Sequence, residues 1–142
     1  MSSRTPLTPD GPTRMAPLVT PDTRFFWDAA DQGRFVGEKC GVCGRFTFPP
    51  RPMCPYCNSL ERVVVELSGF GTVQSWEVPR HPPAFGFQDP PILALIELQE
   101  GIRFVSNLVG VRLEDVKLDL AVEVDFEPTQ GNHKIPVFRP RD

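Results

Sequence analysis

Four cysteines constrain this chain more than any other feature. All lie in one short window, as Cys40-Gly-Val-Cys43, ten further residues, and Cys54-Pro-Tyr-Cys57, and the rest of the 142 residues contain none. Each C-x-x-C turn aims two thiolates at one point, and a second copy closes a tetrahedron, so the pattern predicts a structural zinc site. Four thiolates leave no open coordination position, so such an ion folds the chain and does not activate water. Two disulfides in a secreted mini-domain are the competing arrangement. The N-terminus carries no apolar signal segment and the remaining sequence lacks cysteine, which weighs against it. A redox C-x-x-C is a lone motif, whereas two stand side by side here. Gly41 and Gly44 supply pliable backbone to the first turn, and Pro55 stiffens the second.

The sequence around this window divides the chain in three. Residues 1–20 carry prolines at 6, 9, 12 and 17 among Ser, Thr and Arg, which predicts an extended or disordered leader. Residues 21–60 are read as a helix followed by the four-cysteine zinc ribbon. Thr20 suits an N-cap, Pro21 the first helical position, Asp22 the dipole's positive end and Gly33 the stop. Phe25 with Ala29 and Phe26 with Ala30 are i,i+4 pairs, and Phe26, Trp27 and Ala30 share a face. A helix this short is marginal alone, so its aromatics must pack, either on their own domain or, the sharper alternative, on a partner chain. Phe35-Val36 and Phe46–Phe48 are short strands beside the metal, and Pro49, Pro50 and Pro52 stiffen the excursion between the cysteine pairs.

Residues 61–142 alternate in a β pattern. Strands are predicted at Val63–Leu67, Thr72–Val78, Ile92–Leu98, Ile102–Val109, Val122–Phe126 and Ile135–Phe138. Ser68–Gly71 reads as a bulge or sharp corner, and Gln99-Glu100-Gly101 as a hairpin turn. With about five main strands and no helix long enough for a βαβ crossover, the fold class is mainly β, ending in a five-stranded OB-fold barrel with a C-terminal extension. The segment Pro79–Pro91 is long for a hairpin loop and holds Phe85 and Phe87. It is either a binding loop or a stiff cover over one barrel mouth.

Charge and motif content narrow the function. The net charge is -3, and no apolar run is long enough to cross a membrane, so a cytoplasmic chain is expected. Residues 34–62 hold five basic side chains against two acidic ones, but residues 87–127 hold nine acidic against three basic. A barrel gripping single-stranded nucleic acid needs the opposite balance, so that role loses weight. His81 and His133 sit in turn-like sequence, with neither metal-ligand spacing nor a nucleophile beside them. No nucleophile elbow, P-loop, dinucleotide fingerprint or H-E-x-x-H is present. The residues therefore predict a binding or interaction protein rather than an enzyme.

One family combines these features. The stretch from Phe25-Phe26-Trp27 through the four cysteines, with Phe48-Pro49-Pro50-Arg51 inside the ribbon and Gly69, Gly71 and Val73 opening the barrel, resembles the bacterial and archaeal zinc-ribbon OB-fold family "DUF thirty-five" over roughly residues 20–127. The resemblance implies a rubredoxin-like zinc ribbon with Cys40, Cys43, Cys54 and Cys57 on Zn²⁺. It also implies a non-catalytic accessory subunit of a thiolase-like or lipid-transfer-protein-like acyl-CoA enzyme, such as a thiolase, a condensing enzyme or a steroid side-chain aldolase. In that role Arg45 and Arg51 would meet a CoA phosphate through their guanidinium forks, and Phe26, Trp27, Phe48, Phe85 and Phe87 are candidate partner or CoA contacts. A free-standing acyl-CoA binder is the alternative, followed by a single-stranded nucleic-acid binder.

Overall fold

The computed structural model describes residues 14–87 and 89–141, so most of the leader expected at residues 1–20 lies outside the described residues. Helix α1 spans Arg24–Asp31. It begins later than the sequence suggests. Thr20 to Thr23 form a separate turn, in which Thr20 O accepts from Thr23 N at 3.1 Å and from Arg24 N at 2.9 Å. The Thr23 hydroxyl accepts from Thr20 N at 3.0 Å, so Thr23 takes the N-cap position without a side-chain cap of its own. The C-terminal end follows expectation. Gly33 has φ +72, Arg34 N reaches Ala29 O at 2.9 Å and Gly33 N reaches Ala30 O at 3.0 Å, which is a Schellman closure.

The ribbon is a three-stranded antiparallel sheet of β1 (Val36–Cys40), β2 (Phe46–Thr47) and β3 (Arg62–Glu66), in the order β2-β1-β3. Strand β3 covers most of the Val63–Leu67 run. It pairs residue for residue with β1, from Val36 opposite Glu66 to Cys40 opposite Arg62, and so belongs to the ribbon sheet and not to the barrel.

The barrel comprises β4 (Phe70–Glu77), β5 (Ile92–Leu98), β6 (Arg103–Leu108), β7 (Ala121–Pro128) and β8 (Lys134–Pro140), closed in the order β4-β5-β6-β8-β7. Every pairing is antiparallel except β6 with β8. This is the five-stranded OB-fold read from the sequence, and closure leaves no free sheet edge. On β5, Ile92, Ala94, Ile96 and Leu98 point inward and alternate with half-buried residues. The regular alternation expected along Thr72–Val78 breaks at Gln74: Val73 faces Ile96, but Ser75 already faces Leu95, so one residue bulges out of the ladder. The sequence places that bulge some residues too early. Gly71 instead allows a close approach, because a Cβ there would lie 2.6 Å from the Glu97 carbonyl oxygen and 2.8 Å from Ile96 Cγ2.

Helix, ribbon and barrel share one core, joined by phenylalanines. Phe26 comes from α1, Phe35 from just before β1, Phe48 from just after β2, Phe104 from β6 and Phe138 from β8. Phe104 lies 4.7 Å from Phe48, 5.6 Å from Phe35, 6.1 Å from Phe138 and 6.2 Å from Phe26 between ring centroids. These spacings lie in the range where edge-to-face and tilted rings attract. Five of the chain's eleven phenylalanines meet here. Phe26 is thus buried on its own chain, and Phe25 and Trp27 lie partly buried against the same core.

Candidate metal centre and ribbon–barrel cleft

The two cysteine turns are near copies of one another. Gly44 N donates to Cys40 O at 3.1 Å and Asn58 N to Cys54 O at 2.9 Å. Cys40 N donates to Arg45 O and Cys54 N to Ser59 O, both at 2.9 Å. The residue after each second cysteine must enter the left-handed region, and it does so as Gly44 at φ 76 and Asn58 at φ 65. Glycine and asparagine are the residues that accept this conformation most readily. Gly44 was legible in the sequence. Asn58 was overlooked, although its position directly after Cys57 was the available signal. Gly41 is not in the left-handed region, and a Cβ on it would meet Glu61 Cβ at 3.2 Å.

All four Sγ atoms lie within 4.8 Å of one another. Cys40 Sγ is 3.5 Å from Cys57 Sγ, and Cys43 Sγ is 3.6 Å from Cys54 Sγ. A tetrahedron with metal–sulfur bonds of about 2.3 Å has edges of about 3.8 Å, so the cage fits a single ion. All four cysteines are free thiols. Their acidities are spread apart. The Cys43 N–H, more than the Val42 N–H, lowers Cys40 to about 6 against the opposing effect of burial. Burial raises Cys54, yet the Cys57 and Tyr56 N–H groups and the neighbouring thiols together bring it below its ordinary value. The Ser59 N–H lowers Cys57, but Cys40, burial, Cys43 and Cys54 outweigh it and push it up to about 11. Thiolates this close titrate as a group and cannot all ionise unless a cation sits among them. The donor set therefore suits a soft divalent metal. Cys40 and Cys54 are buried, while Cys43 and Cys57 reach solvent.

Beside the centre lies a cleft of about 700 Å³ between the ribbon and the β5–β6 hairpin. The ribbon contributes Arg45, Phe48, Arg51 and Tyr56, and the hairpin contributes Glu100 and Arg103. Arg45 stacks its guanidinium on the Tyr56 ring at 4.6 Å, which orients both. Glu100 accepts from Ser68 N at 2.8 Å. Arg103 leans on Glu97 at 3.2 Å with the arginine largely in solvent and the glutamate about half exposed, a contact too weakly held to withdraw it from a ligand. Three arginines, Arg45, Arg51 and Arg103, thus line one opening. Arg103 was missed by sequence reasoning because it lies far along the chain, and only the Gly101 turn brings it to the ribbon.

The other candidate contacts disperse. Phe26 is 4% exposed inside the shared core and offers no surface to a partner or to CoA, so its reading as a contact is corrected. Trp27 and Phe48 are partly buried against the same core. Phe85 is 66% exposed in the Pro79–Pro91 segment. Phe87, in the same segment, is half-buried with the Arg14 guanidinium 5.2 Å above its ring. Arg14 is itself buried, with Nε 2.9 Å from Glu127 and Nη2 donating to Asn107, so it ties the segment to the barrel. His133 Nδ1 lies 2.9 Å from Asp31 Oδ2, where the β7–β8 turn meets α1.

A four-cysteine ribbon packed onto a closed OB barrel defines a class of two-part β proteins with a candidate metal centre. Residues 27–61 match the family described as "ChsH2, rubredoxin-like zinc ribbon domain", and residues 64–127 match "ChsH2, C-terminal OB-fold domain". A "DUF35 domain-containing scaffold protein" of Pyrococcus furiosus is 35% identical over 103 residues, covering 72% of this chain and 75% of that protein. A "Probable enoyl-CoA hydratase alpha subunit" of Thermomonospora curvata is 39% identical over 127 residues, covering 89% of this chain but 40% of that protein, so the chain spans well under half the length of that relative. A solved chain described as "Ltp2-ChsH2(DUF35) aldolase" superposes with a TM-score of 0.82 at 38% identity, covering 88% of this chain and 98% of that one. This chain belongs to the DUF35 zinc-ribbon OB-fold family.

Proposed function

We propose that the chain is a non-catalytic accessory subunit that binds and stabilises a thiolase-like, lipid-transfer-protein-like or hydratase-type acyl-CoA enzyme, with Zn²⁺ as its structural ion. One observation carries the reading: nearly the whole length of the DUF35 chain described as "Ltp2-ChsH2(DUF35) aldolase" superposes on this one. The enoyl-CoA hydratase relative supports the acyl-CoA setting, and the scaffold relative supports a role without chemistry. The cleft supplies a physical basis for CoA contact. Arg45, Arg51 and Arg103 present forked donors to phosphate oxygens, and Tyr56 and Phe48 offer apolar surface beside them. The outer barrel face at Trp76, Leu93, Leu95 and Val105, with Val105 67% exposed, is apolar surface of the kind a subunit interface covers.

Co-expression with a thiolase-like enzyme followed by size-exclusion chromatography with light scattering tests the subunit reading. A stable complex and a more stable enzyme are expected, whereas separate elution with unchanged activity would overturn it. Calorimetry with CoA tests the cleft. Arg51→Glu should weaken CoA binding to the complex, and tight binding to the isolated chain would instead favour a free-standing acyl-CoA carrier.

A further inference from the structure

One buried cation lies beside the metal cage with part of its hydrogen-bonding capacity unspent. Arg62 opens β3 directly opposite Cys40 in the β1–β3 ladder. Residues facing each other across an antiparallel ladder project to the same side of the sheet with their Cβ atoms about 5 Å apart. The Arg62 side chain is 11% exposed. Its Nε donates to Glu38 Oε1 at 2.9 Å, and Glu38 is similarly buried. That contact uses one face of the guanidinium. Nη1 and Nη2 are buried and have no hydrogen-bond partner among the described residues. Unspent buried donors are costly and call for a function.

Charge supplies one. Four thiolates around a divalent ion carry a net charge of about −2. Water can solvate the half of that charge on exposed Cys43 and Cys57, but Cys40 and Cys54 are 1% and 0% exposed. Of this buried pair, Cys40 stands directly opposite Arg62 in the ladder, and the charge of Cys54 also reaches the guanidinium. Burial opposes the arginine's charge, yet the Glu38 contact and the charges of Cys54 and Cys40 outweigh it and hold the guanidinium above its ordinary value.

We propose that Arg62 is a positioning residue of the metal centre: Glu38 orients its guanidinium so that the remaining amino groups neutralise and steady the buried thiolates Cys40 and Cys54, which slows metal loss. The proposal rests on the tetrathiolate reading, which metal content of the purified wild-type chain tests separately. Groups outside the ligands commonly change metal affinity by about 10- to 100-fold when removed.

The experiment measures zinc release into a chromophoric chelator from the full chain, together with the thiolate-to-metal charge-transfer band after Co²⁺ substitution. Arg62→Met should speed release at least about tenfold and shift the band. Arg62→Lys, which keeps the charge but loses the fork, should fall between Met and wild type. Glu38→Gln should stay close to the wild-type rate, because the amide oxygen still accepts from Arg62 Nε and the cation remains. If Arg62 served only as partner to Glu38, Glu38→Gln and Arg62→Met would speed release equally, and that result overturns the proposal. So does a wild-type rate and band in Arg62→Met. Should Arg62→Met fail to fold, Arg62→Lys decides: faster release than Glu38→Gln supports the proposal, and equal or slower release overturns it.

Discussion

Ribbon and barrel are both β structures, yet they are held together by opposite means. The barrel closes on itself and buries Val73, Ile96, Leu108, Val122 and Phe138 almost completely. The ribbon has a two-residue strand and an edge strand with Val63 and Val64 exposed, and its loops gather on one interior point, the cysteine cage. Distributed apolar burial tolerates local damage, because each side chain contributes only about 1.5–3 kcal/mol. A single metal centre does not, because all ribbon turns converge on it. The contrast shows how a small domain that cannot build its own core is held: a four-cysteine cage gathers its turns, and phenylalanines lent across the junction attach it to a neighbour that has one.

Metal removal should separate the two regions most sharply. Structural zinc contributes roughly 10 kcal/mol or more to a small ribbon's folding. Chelation, or Cys54→Ser, should therefore abolish amide protection in β1–β3 while β4–β8 remain protected. Hydrogen exchange resolved by segment checks this, and simultaneous loss in both regions would mean that the contrast is wrong. Phe104→Ala attacks the junction, since the Phe104 ring packs against those of Phe26, Phe35, Phe48 and Phe138. It should cost about 3–5 kcal/mol in denaturant unfolding. Its effect should also be non-additive with metal removal, because both act on the same junction.

Two glycines probe the regions separately. Gly71→Ala forces a methyl against the Glu97 carbonyl inside the barrel and should cost about 1–3 kcal/mol. Gly44→Ala, in the ribbon at φ 76, has open space around it and should cost about 1–2 kcal/mol for backbone conformation alone. Thermal melts of the zinc-loaded chain rank the two, and the Gly44 change should also hasten metal release while the Gly71 change should not. The smallest effect belongs to Arg34→Ala. Its 2.6 Å contact with Glu66 is half exposed on both sides, so removal should shift stability by no more than about 1 kcal/mol, less at high salt.

Much of this was legible beforehand because the signals are local. The cysteine spacing, the Gly33 stop, the Gln99–Gly101 hairpin and the alternation along Ile92–Leu98 each depend on residues a few positions apart, and each appears in the structure. Misreadings arose where a distant contact decided. Val63–Leu67 has an ordinary strand pattern, and nothing in it says whether β1 or a barrel strand pairs with it. The bulge at Gln74 follows from barrel curvature, not from a glycine. Phe26 on a short amphipathic helix looks the same whether its neighbour is Phe104 of its own chain or a partner's surface.

The sequence by itself determined the four-cysteine cluster, the β character and the absence of the common catalytic signatures, because cysteine spacing, period-two alternation and motif composition are properties of neighbouring residues. Tertiary structure alone decided that ribbon and barrel share one aromatic core, that Arg103 joins Arg45 and Arg51 at a single cleft, and that Arg62 stands against the cage. Each of these requires chain closure to bring residues from separate segments within a few ångströms, and no local pattern encodes which segments will meet.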